Sequence, residues 1–422
     1  MRWRVGIAAA VAIVAVTLGT AKNFRESPEP ERSPYAGDFL HEWVGGWIMR
    51  SGDRLRLYDP AYANQLEHNA DLVGFRLVSD GYLPMVYPPV YYRAMSPLAA
   101  LPYRTAAWLW VAMTLAAFVA TAILLGRAVG PRGSLAVLVP VLSADWDRVR
   151  NVAAMTALPA AVAILPFAEN LVTGQKGAFV LLVWTVTLLA MLAGRPTLAG
   201  LVFGLLAVKP QLAFVLVLAM LVKGEWRFVA GVAMTAAVLA ALSILPDTEL
   251  ARRYVECVTT IGQQVRLAPR QLHRMHGIYG FFTTLFGGAT PAARASALVV
   301  GVGVVALVGR MLRGPLDVRS PRFPVQYCTL ALATVLLTPN VVHYDLMLLL
   351  LPLFVLAWLI ARGGVGRGRR AVLWGLVGVY VACGIGPPLA LATGVQITSP
   401  AVLALLFSLA GGETVERREA VG

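Results

Sequence analysis

A few polar residues stand out in a strongly apolar chain of 422 residues. Asp38, in Tyr35-Ala36-Gly37-Asp38-Phe39, is the first candidate, with Glu42 one helical turn beyond it. A carboxylate there can handle a proton, or it can be a plain helix N-cap worth about 1 kcal/mol. Lys209, in Lys209-Pro210-Gln211, is the second. An ionisable group at membrane depth usually marks function, although a lysine can also snorkel to the interface with no role. Pro210 and Gln211 favour function, because a broken helix frees backbone groups that at such depth line cavities. Gln175, Gln211 and His343 can donate hydrogen bonds, and Tyr87-Pro88-Pro89 adds an aromatic ring. His343-Tyr344-Asp345 also reads as a polar cluster at the start of a helix. His273 and His276 have the i, i+3 spacing of two metal ligands on one helix face. No third ligand accompanies them, and beside Arg266, Arg270 and Arg274 they read equally as a polar loop. No metal or other cofactor is expected.

The elements that must position these residues are membrane helices. Of the chain, 58% is hydrophobic and 14% charged, against about a quarter charged in a soluble domain. Long uncharged runs recur from end to end, which excludes a disordered chain and argues against a soluble enzyme. The expectation is an all-α polytopic membrane protein of about twelve spans, with residues 1–422 forming one integral-membrane domain. The spans read as 5–20, 104–126, 151–168, 177–194, 196–208, 210–222, 227–246, 292–312, 323–339, 341–361, 371–392 and 398–411. Arg2 and Arg4 place the N-terminus in the cytoplasm, and alternation then puts every short basic loop and the C-terminus on that side. The first apolar stretch also resembles a signal peptide, but the topology closes with it retained as a helix. The opposite face receives two long loops, 21–103 and 247–291. Residues 39–49 read as an amphipathic helix lying in the interface. Residues 133–150 read as an interfacial or re-entrant piece. Residues 196–222 read as two half-helices, each reaching only about 20 Å of a ~30 Å hydrocarbon core, with Lys209 where they meet.

The formal net charge of +14 would suggest nucleic acid in a soluble domain. Here it follows from basic cytoplasmic loops, and no nucleic-acid partner is expected. Cys257, Cys328 and Cys383 have no close spacing, which gives neither a disulfide framework nor a metal motif. All five histidines fall in the two external loops or at external span ends, which makes the external face the working face.

With these residues placed, the sequence resembles the GT-C class of membrane glycosyltransferases, and within it the family-87 group of polyprenyl-phosphate-dependent mannosyl- and arabinosyl-type transferases. The matching pieces run through most of the chain. They are Asp38-Phe39 with Gly52-Asp53 and Tyr58-Asp59-Pro60, then Tyr87-Pro88-Pro89 with Pro97-Leu98, then Gly174-Gln175. Ala199-Gly200 leading to Lys209-Pro210-Gln211 and the turn at His343-Tyr344-Asp345 complete the series. The resemblance implies a GT-C-like fold whose long first external loop carries short interfacial helices. It implies transfer of mannose or a pentose such as arabinose from a polyprenyl-phosphate donor, the lipid-linked sugar being a co-substrate. The acceptor would be an envelope glycolipid or glycan hydroxyl at the external, periplasmic side of the inner membrane. It further implies inversion, with Asp38 as the base. Lys209, Gln211, Gln175, His343, His276, Tyr87 and Glu42 would line the donor phosphate and substrate site. A secondary transporter is the alternative, suggested by the broken segment at Lys209, although no inverted repeat is visible. A non-catalytic assembly protein is a third reading.

Overall fold

The structure is a computed structural model and describes residues 37–77, 85–129, 165–264, 269–362 and 368–419. The expected span 5–20 and the piece at 133–150 lie outside these residues, as does all of 151–168 before Leu165. The described secondary structure is helical, joined by turns and a single isolated antiparallel bridge between Met275 and Val342.

Among the described residues five helices are long and apolar enough to cross a membrane: Tyr103–Ala128 (α5), Trp226–Ile244 (α10), Pro291–Met311 (α13), His343–Ala361 and Arg369–Thr393 (α16). His343–Ala361 begins as a 3-10 turn, His343–Leu349, and continues as α15, Leu350–Ala361. Shorter apolar helices stand beside them: Gly177–Leu192 (α7), Pro196–Val208, Phe323–Leu337 (α14) and Thr398–Gly411, the first part of α17, Thr398–Glu419. Among the described residues five of the expected twelve spans are thus long enough to cross, and at 1.5 Å per residue the shorter helices are shorter than a ~30 Å core. Apolar residues recur at helical spacing on the outward faces. Met234, Val238 and Leu242 do so on α10, and Trp374, Val377, Val381 and Ile385 on α16. Such stripes suit lipid as solvent. α14 is the central helix, with almost every residue buried.

The segment 196–222 is broken as its composition predicts. It runs as α8 (Pro196–Phe203), a 3-10 stretch Gly204–Val208, a second Pro210–Leu212, and α9 (Phe214–Val222). Lys209 lies between the two 3-10 pieces with φ −138°, outside helical geometry. Pro210 cannot donate a backbone hydrogen bond and so ends the ladder there.

The first loop is built of short helices. Phe39–Arg50 (α1), Pro60–Glu67 (α2), Ala70–Val73 (α3) and Pro89–Met95 (α4) precede α5. Asp59 caps α2 by accepting from the backbone of Ala61 and Tyr62. α1 differs from expectation: it is enclosed by protein and does not lie with one face open. Phe39, Leu40, Trp43, Val44 and Ile48 are all buried. The cause is its glycines. A Cβ on Gly45 would stand 2.3 Å from the Tyr92 ring, and one on Gly46 2.9 Å from the Met95 backbone, so α4 closes over a face that a larger residue would hold open. Leu165–Thr173 (α6) leads into α7, and beyond α10 Thr248–Gln264 (α11), a 3-10 turn Pro269–Arg274 and Ile278–Leu285 (α12) make the second long loop.

Two glycines also join α8 to α10. A Cβ on Gly200 would lie 2.0 Å from the Phe228 carbonyl oxygen, and one on Gly231 2.4 Å from that of Thr197. Such backbone approach between membrane helices depends on small residues. Gly200→Val is expected to lower thermal stability in detergent by about 1–3 kcal/mol through overpacking. Gly378→Ala, where a Cβ meets open space, leaves stability unchanged or slightly raised; thermal unfolding monitored by fluorescence distinguishes the two.

Candidate active site

Asp38 and Glu42 stand one turn apart at the start of α1, and consecutive residues of the α6–α7 turn face them. Gln175 donates its side-chain amide to Asp38 Oδ2. Lys176 places Nζ 2.5 Å from Glu42 Oε1. The turn is fixed from below, since Trp110 Nε1 donates to the Gly174 carbonyl at 2.6 Å. Gly37 seats the beginning of α1 on the end of α6: its φ is +27°, and a Cβ would lie 3.2 Å from Thr173 Cα. Asp38 occupies the N-cap position, but its side chain makes no capping bond. Its hydrogen bond to Gln175 replaces the structural role that the sequence alone allowed.

Lys176 is buried, and its ammonium sits 4.3 Å from the centroid of the Tyr87 ring and 5.3 Å from that of Tyr91. Burial disfavours its charged form, but Glu42 and Tyr87 outweigh burial and the net shift is upward. Lys176 is therefore charged, and it neutralises Glu42. On α1 as well, His41 Nδ1 lies 2.7 Å from Glu67 Oε1. Burial pulls the His41 imidazole down, but Glu67 raises it further, so the net shift is upward.

The same α6–α7 turn supports the His343-Tyr344-Asp345 turn. Asn170 Nδ2 donates to the Tyr344 carbonyl at 2.8 Å. A Cβ on Gly177 would lie 2.4 Å from that carbonyl, so only glycine lets the first residue of α7 rest there. Lys209 reaches this turn from the broken segment and pairs with Asp345 Oδ1, both side chains being buried. Asp345 Oδ2 accepts the Val342 backbone N–H at 3.3 Å. Lys209 Nζ also lies 5.1 Å from the Tyr344 ring centroid. Gln211, beside it, is exposed, and its backbone carbonyl accepts from Thr338 Oγ1 at 2.8 Å.

From the second long loop, His276 donates its backbone N–H to the Val341 carbonyl at 2.7 Å, and its Nε2 lies 3.0 Å from His343 Nδ1. Its Nδ1 faces Gln396 and Thr398 in the link between α16 and α17. Both ring nitrogens of His276 thus have hydrogen-bond partners within the protein. Burial, then the like charge of His343, His273 and Arg274, pushes His276 well below the usual imidazole range. Arg274 lies 3.7 Å from Glu169 on α6.

These clusters adjoin, because Asn170 and Gly177 rest against the Tyr344 carbonyl beside the Lys209–Asp345 pair. The structure thus brings Asp38, Gln175, Glu42 and Tyr87 together with Lys209, His343 and His276 at one end of the helix bundle. At the other end the basic loops meet, where Lys223 Nζ donates to the Leu312 and Gly314 carbonyls. Sequence reasoning missed Lys176, Asn170, Arg274 and Gln396. Lys176 had a signal, since it is one of four lysines and follows Gln175 directly. Gln396 had less, a lone amide between two apolar helices.

A family model described as glycosyltransferase family 87 matches residues 85–339, more than half of the chain. The matched stretch contains Tyr87, Gln175, Lys209, Gln211 and His276, while Asp38 and Glu42 precede it and His343 and Gln396 follow it. No curated protein and no solved structure matches the chain at a significant level.

Breaking a buried ion pair leaves one charge uncompensated. Lys209→Met is accordingly expected to destabilise the protein by about 3–5 kcal/mol, with the double variant Lys209→Met/Asp345→Leu recovering most of that loss in thermal unfolding. The His276 imidazole is held below its unfolded value of 6.5. Its stabilisation is complete above that pH and is lost as pH falls through 6.5 toward the folded value. Melting temperature should fall between pH 6.5 and 5, and fall less steeply in His276→Asn.

Proposed function

The chain belongs to glycosyltransferase family 87, and from that premise we propose that it moves a sugar from a polyprenyl-phosphate donor to a hydroxyl of an envelope glycolipid or glycan. The reaction takes place at the external face of the membrane, and the sugar is mannose or a pentose such as arabinose. It proceeds by single displacement with Asp38 as general base. The observation that supports this reading is how the carboxylates are partnered. Glu42 faces Lys176, Asp345 faces Lys209, Glu67 faces His41 and Glu169 faces Arg274. Among the described residues Asp38 alone of this group is held by a neutral side chain, the Gln175 amide on Oδ2.

The chemistry follows. The acceptor hydroxyl attacks the anomeric carbon while the bond from that carbon to the phosphate oxygen breaks. The hydroxyl proton passes to Asp38 Oδ1, the oxygen that Gln175 leaves open. The departing polyprenyl phosphate is a good leaving group and needs no general acid, so one carboxylate suffices, in contrast to the carboxylate pair of a glycosidase. Negative charge grows on that phosphate, and fixed donors and cations in a low-dielectric site stabilise it. Lys209, held in place by Asp345, supplies positive charge at the helix break, and Gln211 and His343 supply donors. Tyr87 and Glu42, with Lys176, form the wall on the α1 side. The apolar stripes of α10 and α16 suit the lipid tail of the donor.

Asp38→Asn keeps shape and the contact with Gln175 but cannot take a proton. It is expected to lower transfer by about 10²–10⁴-fold with unchanged folding. Transfer from a radiolabelled polyprenyl-phosphate sugar to a membrane acceptor, measured at wild-type level in the folded variant, overturns the base assignment.

A further inference from the structure

Five residues from three parts of the chain form a buried hydrogen-bonded line whose proton positions can be worked out end to end. The line starts in the link between α16 and α17. The Ser399 backbone N–H donates to Gln396 Oε1 at 3.1 Å, which fixes the orientation of the amide. Gln396 Nε2 therefore faces His276 Nδ1. An amide nitrogen can only donate, so His276 Nδ1 is an acceptor. Thr398 Oγ1 lies 3.1 Å from the same nitrogen and 3.4 Å from the Ala382 carbonyl oxygen. Burial holds His276 neutral, and a neutral imidazole carries one proton, here on Nε2. His276 Nε2–H then donates to His343 Nδ1 at 3.0 Å. His343 Nδ1 is in turn an acceptor, which places the His343 proton on Nε2. That Nε2–H is buried and has no hydrogen-bond partner among the described residues. Gln396 and His343 are each 0% exposed and His276 1%.

A buried donor without an acceptor costs on the order of 1–3 kcal/mol, and such a group in a native site points to a ligand that supplies the missing acceptor. The adjoining residues of the same turn are Tyr344 and Asp345, and Asp345 holds Lys209. The Lys209 ammonium beside this turn and the lone N–H donor on it suit an anionic oxygen.

We propose that Gln396 is a positioning residue that, through His276, locks His343 as a neutral imidazole presenting Nε2–H to a phosphoryl oxygen of the lipid-linked substrate. This rests on the transferase reading above for the identity of the ligand. The tautomer itself rests on the hydrogen-bond line alone. Gln396 lies far beyond the residues that the family model matches. A line running through it ties the C-terminal helices to the site.

The test uses the full chain in lipid nanodiscs with 15N-labelled histidine. Imidazole nitrogen shifts distinguish protonated from bare nitrogens, and His276→Gln and His343→Gln assign the two signals. The probe is undecaprenyl monophosphate, which carries no sugar. In the wild type the His343 proton is expected on Nε2, and the probe is expected to move that signal. Gln396→Glu keeps the acceptor for Ser399 but turns the atom facing His276 into an acceptor. It should reverse the line, placing the His343 proton on Nδ1 and abolishing the response. Transfer in that variant should fall roughly 10²-fold in kcat, the usual cost of one lost oxyanion donor, with KM for the acceptor little changed. A wild-type His343 protonated on Nδ1, or an Nε2 signal that the probe leaves unmoved, overturns the proposal whether or not the variant folds. The expected tautomer and response in a protein without transfer activity would leave this inference standing and sink the transferase reading instead.

Discussion

Charge buried in an apolar medium must be matched, and much of this molecule's arrangement follows from two such matches. Lys176 with Glu42 ties the α6–α7 turn to α1, and Lys209 with Asp345 ties the broken segment to the start of the last long span before α16. Each pair joins parts of the chain more than a hundred residues apart. Isolated in hydrocarbon, any of these four groups would cost several kcal/mol. The elements that carry them are held where the charges meet, even though their backbones alone would favour no such place. The break at Lys209-Pro210 is tolerable for the same reason, since Asp345 accepts from the lysine and Thr338 donates to the Gln211 carbonyl nearby.

The matching also sorts the carboxylates chemically. A carboxylate facing an ammonium is held in an ion pair, whereas Asp38 faces the Gln175 amide through one oxygen. The α6–α7 turn makes that distinction with two adjacent residues, Gln175 and Lys176, whose side chains face two carboxylates one helical turn apart. The glycines around the turn are what allow it. Gly37 admits Thr173, and Gly177 admits the Tyr344 carbonyl, so α1, α6, α7 and the His343 turn converge without a side chain between them.

Much of this was legible in the sequence because membrane physics is strict. Apolar runs give helices, and Lys-Pro in an apolar run gives a broken one. Of the residues that stand out in the sequence, Asp38 pairs with Gln175 and His276 with His343. What the sequence did not disclose is which partner each would find. The sequence marks Lys209 only as an ionisable group at membrane depth; its pairing with Asp345 depends on where two distant turns meet in space. α1 read as amphipathic, but α4 covers it, because Gly45 and Gly46 allow an approach that periodicity does not register.

In the proposed reaction Asp38 acts directly on the acceptor, which permits a single displacement and forbids a sugar bound covalently to the protein. The anomeric configuration of the product reports this most directly. With a polyprenyl-phosphate donor of defined configuration, the one-bond carbon–proton coupling at the anomeric centre of the new linkage should show the opposite configuration. A product that retains the donor's configuration would require a second displacement, and would contradict the account.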